Sequence, residues 1–322
     1  MRVLVTGGAG YVGSVLVDHL LRAGNEVRAY DTLLHGSVPS LLLPWGGAGF
    51  DFVHGDVRDE STIRPALEGV DAVVHLAAIV GDPACAREPD LARAINVDAT
   101  KALVRSAREA GARRFVFAST CSNYGKLEEE GAMATEDWPL RPVSLYAETK
   151  VEAELDVLDQ AADSFEPTCL RLATVYGVSP RMRFDLTVNE FTRDVLVNGD
   201  LVVYGEQFWR PYVHVRDVAR AVGTVLEAPG EDIAGQVFNV GDNEENYRKL
   251  DIVELLKERV PTAEIQFVKK DEDPRDYRVR FDRIQERLGF QTELDVPQGI
   301  DQVIALLRSG LLEDPYAGVY RN

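Results

Sequence analysis

Cysteine is scarce in this chain. Cys85, Cys121 and Cys169 are far apart and odd in number, so they supply neither a disulfide framework nor the spacing of a metal-ligand set. A reducing cytoplasm and no metal are the expectations. Long apolar runs are also missing: the longest, residues 70–80, is broken by Asp71 and His75 and is too short to cross a bilayer. A strand pattern starts directly after Met1, which leaves no room for a signal peptide, and no membrane partner is expected. Positive charge is in short supply, with 35 Lys and Arg against 53 Asp and Glu and a formal charge of −18. That balance disfavours nucleic acid, whose phosphates need a basic surface, but not a small phosphorylated ligand that needs only a few local cations. Repeats, low-complexity segments and a clear linker are absent as well. What the chain does have is apolar residues, 45% of 322, enough for a substantial core in two sub-domains.

Arg2-Val3-Leu4-Val5-Thr6 reads as a buried strand that runs straight into Gly7-Gly8-Ala9-Gly10-Tyr11-Val12-Gly13. A helix follows, with Val12, Val15, Leu16 and Leu20 inward and Gly24 at its C-terminus. Strand, glycine turn and helix in that order form a dinucleotide fingerprint. Two glycines let the backbone turn and approach a diphosphate, the third lets helix and strand pack closely, and the helix N-terminus offers amides to the phosphates. The next strand, 26–30, ends in Asp31, a carboxylate suited to both hydroxyls of an adenosine ribose and hostile to a ribose phosphate, which selects NAD over NADP. The strand at 50–54 delivers Asp56 and Val57 toward the adenine. The strand at 71–76 ends in Leu76, and small Ala77 and Ala78 after it let the cofactor lie across the strand end. His75, inside that apolar strand, reads as a core histidine.

Residues 89–110 read as one long helix closed by Gly111, followed by a strand at 114–118 that runs into Ser119, Thr120, Cys121 and Ser122. Chemistry in an open parallel sheet collects at the carboxyl ends of strands, so these hydroxyls are expected to face the cofactor. Strand and helix alternate from residue 1 to this point, which predicts an α/β fold with a doubly wound parallel sheet. After a sixth strand at 169–172 the alternation breaks down. Arginines beside aromatics occupy loops at 180–184 and 207–212, helices are expected at 217–227, 249–259 and 297–307, and a short strand at 236–239. The division is a first lobe at 1–175 and a smaller α/β lobe at 176–322, with later segments free to return to the first.

In Ser144-Leu145-Tyr146-Ala147-Glu148-Thr149-Lys150, a phenol and an ammonium stand at i and i+4 of a helix reaching about residue 161. A free tyrosine titrates near pH ~10, so half-ionising it at neutral pH needs about three units, roughly 4 kcal/mol, of anion stabilisation. A cation one turn away is a direct source. The spacing alone is common in helices, and the glycine run upstream is what gives it meaning.

Taken together, the glycine run with Asp31, the Thr120 strand end and Tyr146-x-x-x-Lys150 resemble the extended short-chain dehydrogenase/reductases, the NAD-dependent sugar epimerase/dehydratase group with a Rossmann fold. The segment Arg210-Pro211-Tyr212-Val213-His214-Val215-Arg216-Asp217-Val218-Ala219 fits that group's pattern too, and the likeness spans nearly the whole chain. By that resemblance Gly7, Gly10 and Gly13, with Tyr11 and Val12, take the diphosphate of NAD, Asp31 the ribose, and Asp56 with Val57 the adenine. Leu76, Ala77, Ala78, Asn96 and Ser119 line the rest. Tyr146 is the implied base, Lys150 holds the nicotinamide ribose and lowers the phenol pKa, and Thr120 bonds the reacting sugar oxygen. Cys121, Ser122, Thr174, Arg181, Arg183, Arg210 and Arg275 fall to a nucleotide-diphosphate sugar.

The implied reaction oxidises carbon 4 of the sugar. Related 4,6-dehydratases carry Asp-Glu directly after the threonine, where this chain has Cys121-Ser122, so a 4-epimerase is the first expectation. Residues 171–186 resemble a branch acting on modified hexoses or GDP-linked heptoses and octoses. That branch holds both 4-epimerases and 4-dehydrogenases, and Thr174 stands where UDP-galactose epimerases have Asn. A 4-dehydrogenase releasing the ketone is therefore the alternative. A catalytically silent NAD-binding protein on the same fold is expected to lose Tyr146 or Lys150, and both are present. Relatives also imply a homodimer through the helices at 89–110 and 146–161.

Overall fold

The computed structural model describes residues 1–127, 129, 131–270, 273 and 275–322. Its centre is a seven-stranded, wholly parallel sheet in the order β10-β6-β5-β4-β1-β2-β3. The strands are β1 (Arg2–Thr6), β2 (Glu26–Asp31), β3 (Phe50–His54), β4 (Ala72–His75), β5 (Arg114–Thr120), β6 (Glu166–Leu172) and, from far along the chain, β10 (Gln236–Val240). Their apolar runs are buried on both faces, as a parallel sheet covered by helices requires. Strand order reverses between β1 and β4, and the crevice that opens there at the carboxyl ends is where such sheets bind ligands.

Helices α1 (Tyr11–Arg22), α2 (Pro39–Leu42), α3 (Glu60–Ala66), α4 (Asp82–Arg87), α5 (Pro89–Arg93), α6 (Thr100–Glu109) and α7 (Leu145–Asp159) connect the first six strands. The single helix expected at 89–110 is in fact α5 and α6 joined through a π-helical turn at Ala94–Ala99. The widened turn carries Asn96, whose side chain clamps Ile79: its Oδ1 accepts from Ile79 N at 2.8 Å and its Nδ2 donates to Ile79 O at 2.9 Å. A local polar demand thus reshaped a run that periodicity read as regular.

Beyond β6 come β7 (Thr174–Tyr176), α8 (Thr187–Val197), β8 (Asp200–Tyr204), β9 (Trp209–His214), α9 (Val215–Glu227) and α10 (Gly230–Ile233). After β10 follow β11 (Asn246–Arg248), α11 (Lys249–Arg259), β12 (Glu264–Val268), α12 (Asp282–Leu288) and α13 (Val296–Arg308). Small sheets β11-β9-β7 and β12-β8 support this second lobe. Two of its elements serve the first lobe: β10 pairs with β6 in register from Gln236 opposite Thr168 to Val240 opposite Leu172, and α9 packs Val218, Val222 and Val225 into one core with Leu16, Val17 and Leu20 of α1. No helix of the described residues is long and apolar enough to cross a membrane.

Candidate active site

The glycine turn has the shape its spacing predicts. Gly7 sits at φ +72°, a conformation strained for side-chain residues, and a Cβ there would meet Ala77 N at 2.8 Å. A Cβ on Gly13 would lie 2.0 Å from the Gly7 carbonyl oxygen. These close approaches bring α1 against the strand end with its first amides open, and its first turn holds no acidic residue. Asp31 is fixed at the lip, its two carboxylate oxygens accepting from Ala9 N at 3.1 Å and Leu33 N at 2.8 Å. The cradle fits a dinucleotide. Val12, Leu76, Ala77 and Ala78 border it, partly exposed. Asp56 is forked by Arg58 at 2.5 Å, and Val57 is buried in the core. The Tyr11 hydroxyl turns away and donates to Gly177 O at 2.7 Å, bolting α1 to the second lobe.

Across the crevice, Ser144 caps α7 by accepting from Ala147 N at 3.3 Å, and this sets the turn that presents Tyr146 and Lys150. Lys150 is 3% exposed, and its Nζ donates to Ala118 O at 2.8 Å while lying 4.6 Å from the Phe117 ring centroid. Burial pulls its ammonium down to about 8. Burial also pushes the Tyr146 phenol well above the ordinary tyrosine value, the Cys85 thiol and Asp82 carboxylate push the same way, and the charge of Arg183 opposes them. The cation expected to tune the phenol was Lys150. In the protein alone Lys150 is anchored to the strand, and Arg183 from the opposite lobe is a cation that acts on the phenol.

Thr120 ends β5, and its Oγ1 accepts from Ser122 N at 3.1 Å. The Ser119 hydroxyl, expected at the cofactor, donates to Glu154 Oε2 at 2.5 Å and belongs to a buried network behind the site. In that network Glu154, one turn beyond Lys150, pairs with Arg171 at 2.6 Å. Arg171 also donates to Tyr124 Oη at 2.9 Å and Glu136 O at 3.0 Å, and Asn123 donates to Ser119 Oγ at 3.1 Å. Sequence reasoning missed this network, although an arginine inside the apolar strand Cys169-Leu170-Arg171-Leu172 signals a buried partner. Cys121 is fully buried with its Sγ directed at Arg171 O, 3.1 Å away, and Ser122 Oγ lies 3.2 Å from Tyr277 Oη. His75 is a core residue as expected: its Nδ1 lies 2.6 Å from Thr6 Oγ1, its Nε2 2.9 Å from Thr100 Oγ1, and burial pulls it down to about 3.

The arginines divide. Arg210 is buried, pairs with Asp273 at 2.8 Å and donates to the carbonyls of Trp209 and Arg275. Arg275 is half-exposed and pairs with Asp82 at 3.0 Å, and Asp82 in turn accepts from Ser144 Oγ at 2.7 Å, so the second lobe is tied to the N-terminus of α7. Arg183 forks Asp185 at 2.9 and 2.7 Å. Arg181 lies where the charges of Asp31 and Asp185 reach it. Thr174 is in β7 opposite Tyr212. Among the described residues no group of His, Cys, Asp and Glu could hold a metal ion.

A parallel doubly wound sheet, a glycine cradle with a fixed carboxylate at its lip and a tyrosine–lysine helix across the crevice define a nucleotide-cofactor enzyme of the α/β class. Residues 3–241 match the model of the NAD dependent epimerase/dehydratase family, and the chain belongs to that family. It is 31% identical to a UDP-glucose 4-epimerase of Streptomyces lividans over 90% of this chain and 91% of that one, and 30% identical to a dTDP-glucose 4,6-dehydratase of Actinoplanes over 96% and 98%. A Streptomyces venezuelae dTDP-glucose 4,6-dehydratase solved with NAD superposes with a TM-score of 0.85 at 28% identity, covering 96% of this chain and 97% of that chain. A Thermotoga maritima UDP-glucose 4-epimerase with UDP-glucose does so at 0.85 and 26%, covering 97% and 100%.

Proposed function

We propose that the protein is a nucleotide-sugar 4-epimerase that works through a transient 4-keto sugar. The observation that carries this reading is the pair of residues after Thr120. Dehydration across carbons 5 and 6 needs an acid and a base there. This chain offers Cys121, a thiol pushed far up by burial and directed at a backbone carbonyl, and Ser122, a neutral hydroxyl engaged with Tyr277. Epimerisation at carbon 4 needs no second acid–base pair.

Bound NAD would supply a hydride acceptor and, in its oxidised form, a positive charge to the site. Tyr146 takes the proton of the 4-hydroxyl and returns it, the role its place on α7 supports. Lys150, whose Nζ is held by Ala118 O, would hold the nicotinamide ribose, and Thr120 would donate to the reacting oxygen. Arg275, half-exposed beside Asp82, and Arg210, in its carboxylate clasp, are the cations available to a sugar diphosphate in the second lobe. Asp31 disfavours a 2′-phosphate, consistent with NAD.

The test is incubation of the pure protein with GDP-, UDP- and dTDP-sugars, following carbon-4 configuration by NMR and NADH by absorbance. Inversion without NADH accumulation is the expected result. Stoichiometric NADH with a released 4-keto sugar replaces the reading with a 4-dehydrogenase, and a 4-keto-6-deoxy product replaces it with a dehydratase.

A further inference from the structure

Residues 318–322 run along the loop that holds Arg181, Arg183 and Asp185. Phe184 N donates to Tyr320 O at 2.8 Å, and the Tyr320 ring stands edge-on to Phe184 with centroids 5.8 Å apart. Arg181 Nη2 donates to Arg321 O at 2.9 Å, and Asn322 N donates to Asp185 Oδ2 at 3.3 Å. On the other side, Arg87 Nη2 of α4 donates to Asn322 O at 3.4 Å. One short segment therefore joins the 181–185 loop to the helix that follows β4, the strand bordering the dinucleotide crevice.

Under this segment Arg181 is 5% exposed, and its Nε is buried without a hydrogen-bond partner among the described residues. Asp185 is already forked by Arg183, and Asp31 is held by backbone amides. Burial, with the like charge of Arg183, pulls the Arg181 guanidinium down to about 10. A buried guanidinium with an open donor is costly until an anion completes it. Ser179, two residues earlier, donates to Tyr11 O at 2.7 Å and lies 3.1 Å from Ser14 Oγ. His35, close behind Asp31, is pulled down by its own burial and then by the charges of Arg181 and Arg183. The loop that carries Arg181 therefore rides over the first turn of α1, and the charge of Asp31 at the lip of the cradle acts on Arg181.

We propose that residues 318–322 form a strap that aims Arg181 at the diphosphate of NAD and so slows the cofactor's release. This rests on the family's dependence on NAD and assigns Arg181 to the cofactor instead of the sugar nucleotide. A charge-assisted contact to phosphate is worth roughly tenfold to a hundredfold in affinity.

Calorimetry with NAD, ADP-ribose, adenosine, UDP and GDP, together with stopped-flow release of NAD, tests it on the parent, Arg181→Met and a chain ending at residue 317. Both variants are expected to bind NAD and ADP-ribose tenfold to a hundredfold more weakly, to release NAD faster, and to bind adenosine as the parent does. The shortened chain carrying Arg181→Met is expected to be no worse than Arg181→Met alone, because strap and arginine act as one device. Without NAD, Arg181→Met is expected to unfold at or above the parent's temperature, since it loses a buried cation whose Nε has no partner among the described residues. Arg181→Lys, which keeps the charge without the planar fork, should fall between parent and Arg181→Met in NAD affinity. Unchanged NAD affinity in Arg181→Met, or a loss confined to UDP or GDP, overturns the proposal, as do additive effects of the two changes. A parent that binds no NAD overturns the cofactor assignment itself, a result distinct from variants that bind NAD as well as the parent.

Discussion

Tyr146 and Lys150 are one helical turn apart, yet they meet different surroundings, and each predicts its own measurement. Tyr146→Phe removes the proposed proton acceptor and leaves the cradle intact, so turnover is expected to fall by about 10²–10⁴ while calorimetry still finds NAD bound. Unchanged turnover would remove Tyr146 from the mechanism. Lys150 carries a pH signature in stability. Its folded value near 8 lies below the ordinary 10.5, so below pH 8 both states hold the proton and the folded state bears the full cost of a buried cation. Between 8 and 10.5 the unfolded chain binds more protons, and stability gains up to about 3 kcal/mol as pH rises. Lys150→Met has no such gain, so urea unfolding at several pH values should show the parent improving relative to the variant across that window. Equal slopes would mean that the lysine is not desolvated as described.

At the scale of elements, α7 is held from behind by Glu154 as much as it is aimed by Ser144. Glu154→Ala leaves Arg171 as an uncompensated charge in the core, a cost of about 3–5 kcal/mol that denaturant unfolding should detect. The strand–turn–helix entry is the second sensitive element. With a new methyl carbon 2.0 Å from a carbonyl oxygen, Gly13→Ala forces α1 off the strand, and both thermal stability and NAD affinity should drop. These elements differ in how openly the sequence displays them. β1 to β6 were legible because apolar runs bounded by glycine turns have few other readings. The glycine cradle and Asp31 were legible because their function needs backbone geometry that local sequence dictates. The π-turn at Ala94–Ala99 was hidden, because the partner of its Asn96 is Ile79, fifteen residues before its first residue. The pairing of Arg171 with Glu154, and the anchoring of Lys150 on Ala118, depend on side chains that only the folded sheet brings together. β7 and β11 are three residues long, too few for alternation to show, whereas β8 does alternate over Asp200–Tyr204 and β9 occupies Trp209–His214, where a loop was expected at 207–212.

For the molecule as a whole, the two lobes are laced together by their order in the chain. β10 completes the sheet and α9 covers α1, so a fragment ending at residue 175 lacks both. Such a fragment is expected to show no cooperative unfolding by circular dichroism, and a sharp transition there would establish the first lobe as independent. Association is proposed through the α5–α6 and α7 surfaces, where Lys101 meets Glu152 at 2.7 Å and Arg105 meets Asp156 at 3.3 Å within one chain. Light scattering at micromolar concentration should return the mass of two chains, and a monomer would refute it. The late arrival of β10 also matters during synthesis. At about 5–20 residues per second, the 63 residues between Leu172 and Gln236 take about 3–13 s to leave the ribosome. Through that interval the nascent chain carries an open parallel edge at Thr168–Leu172, a template for unwanted pairing that closes only when Gln236–Val240 emerges.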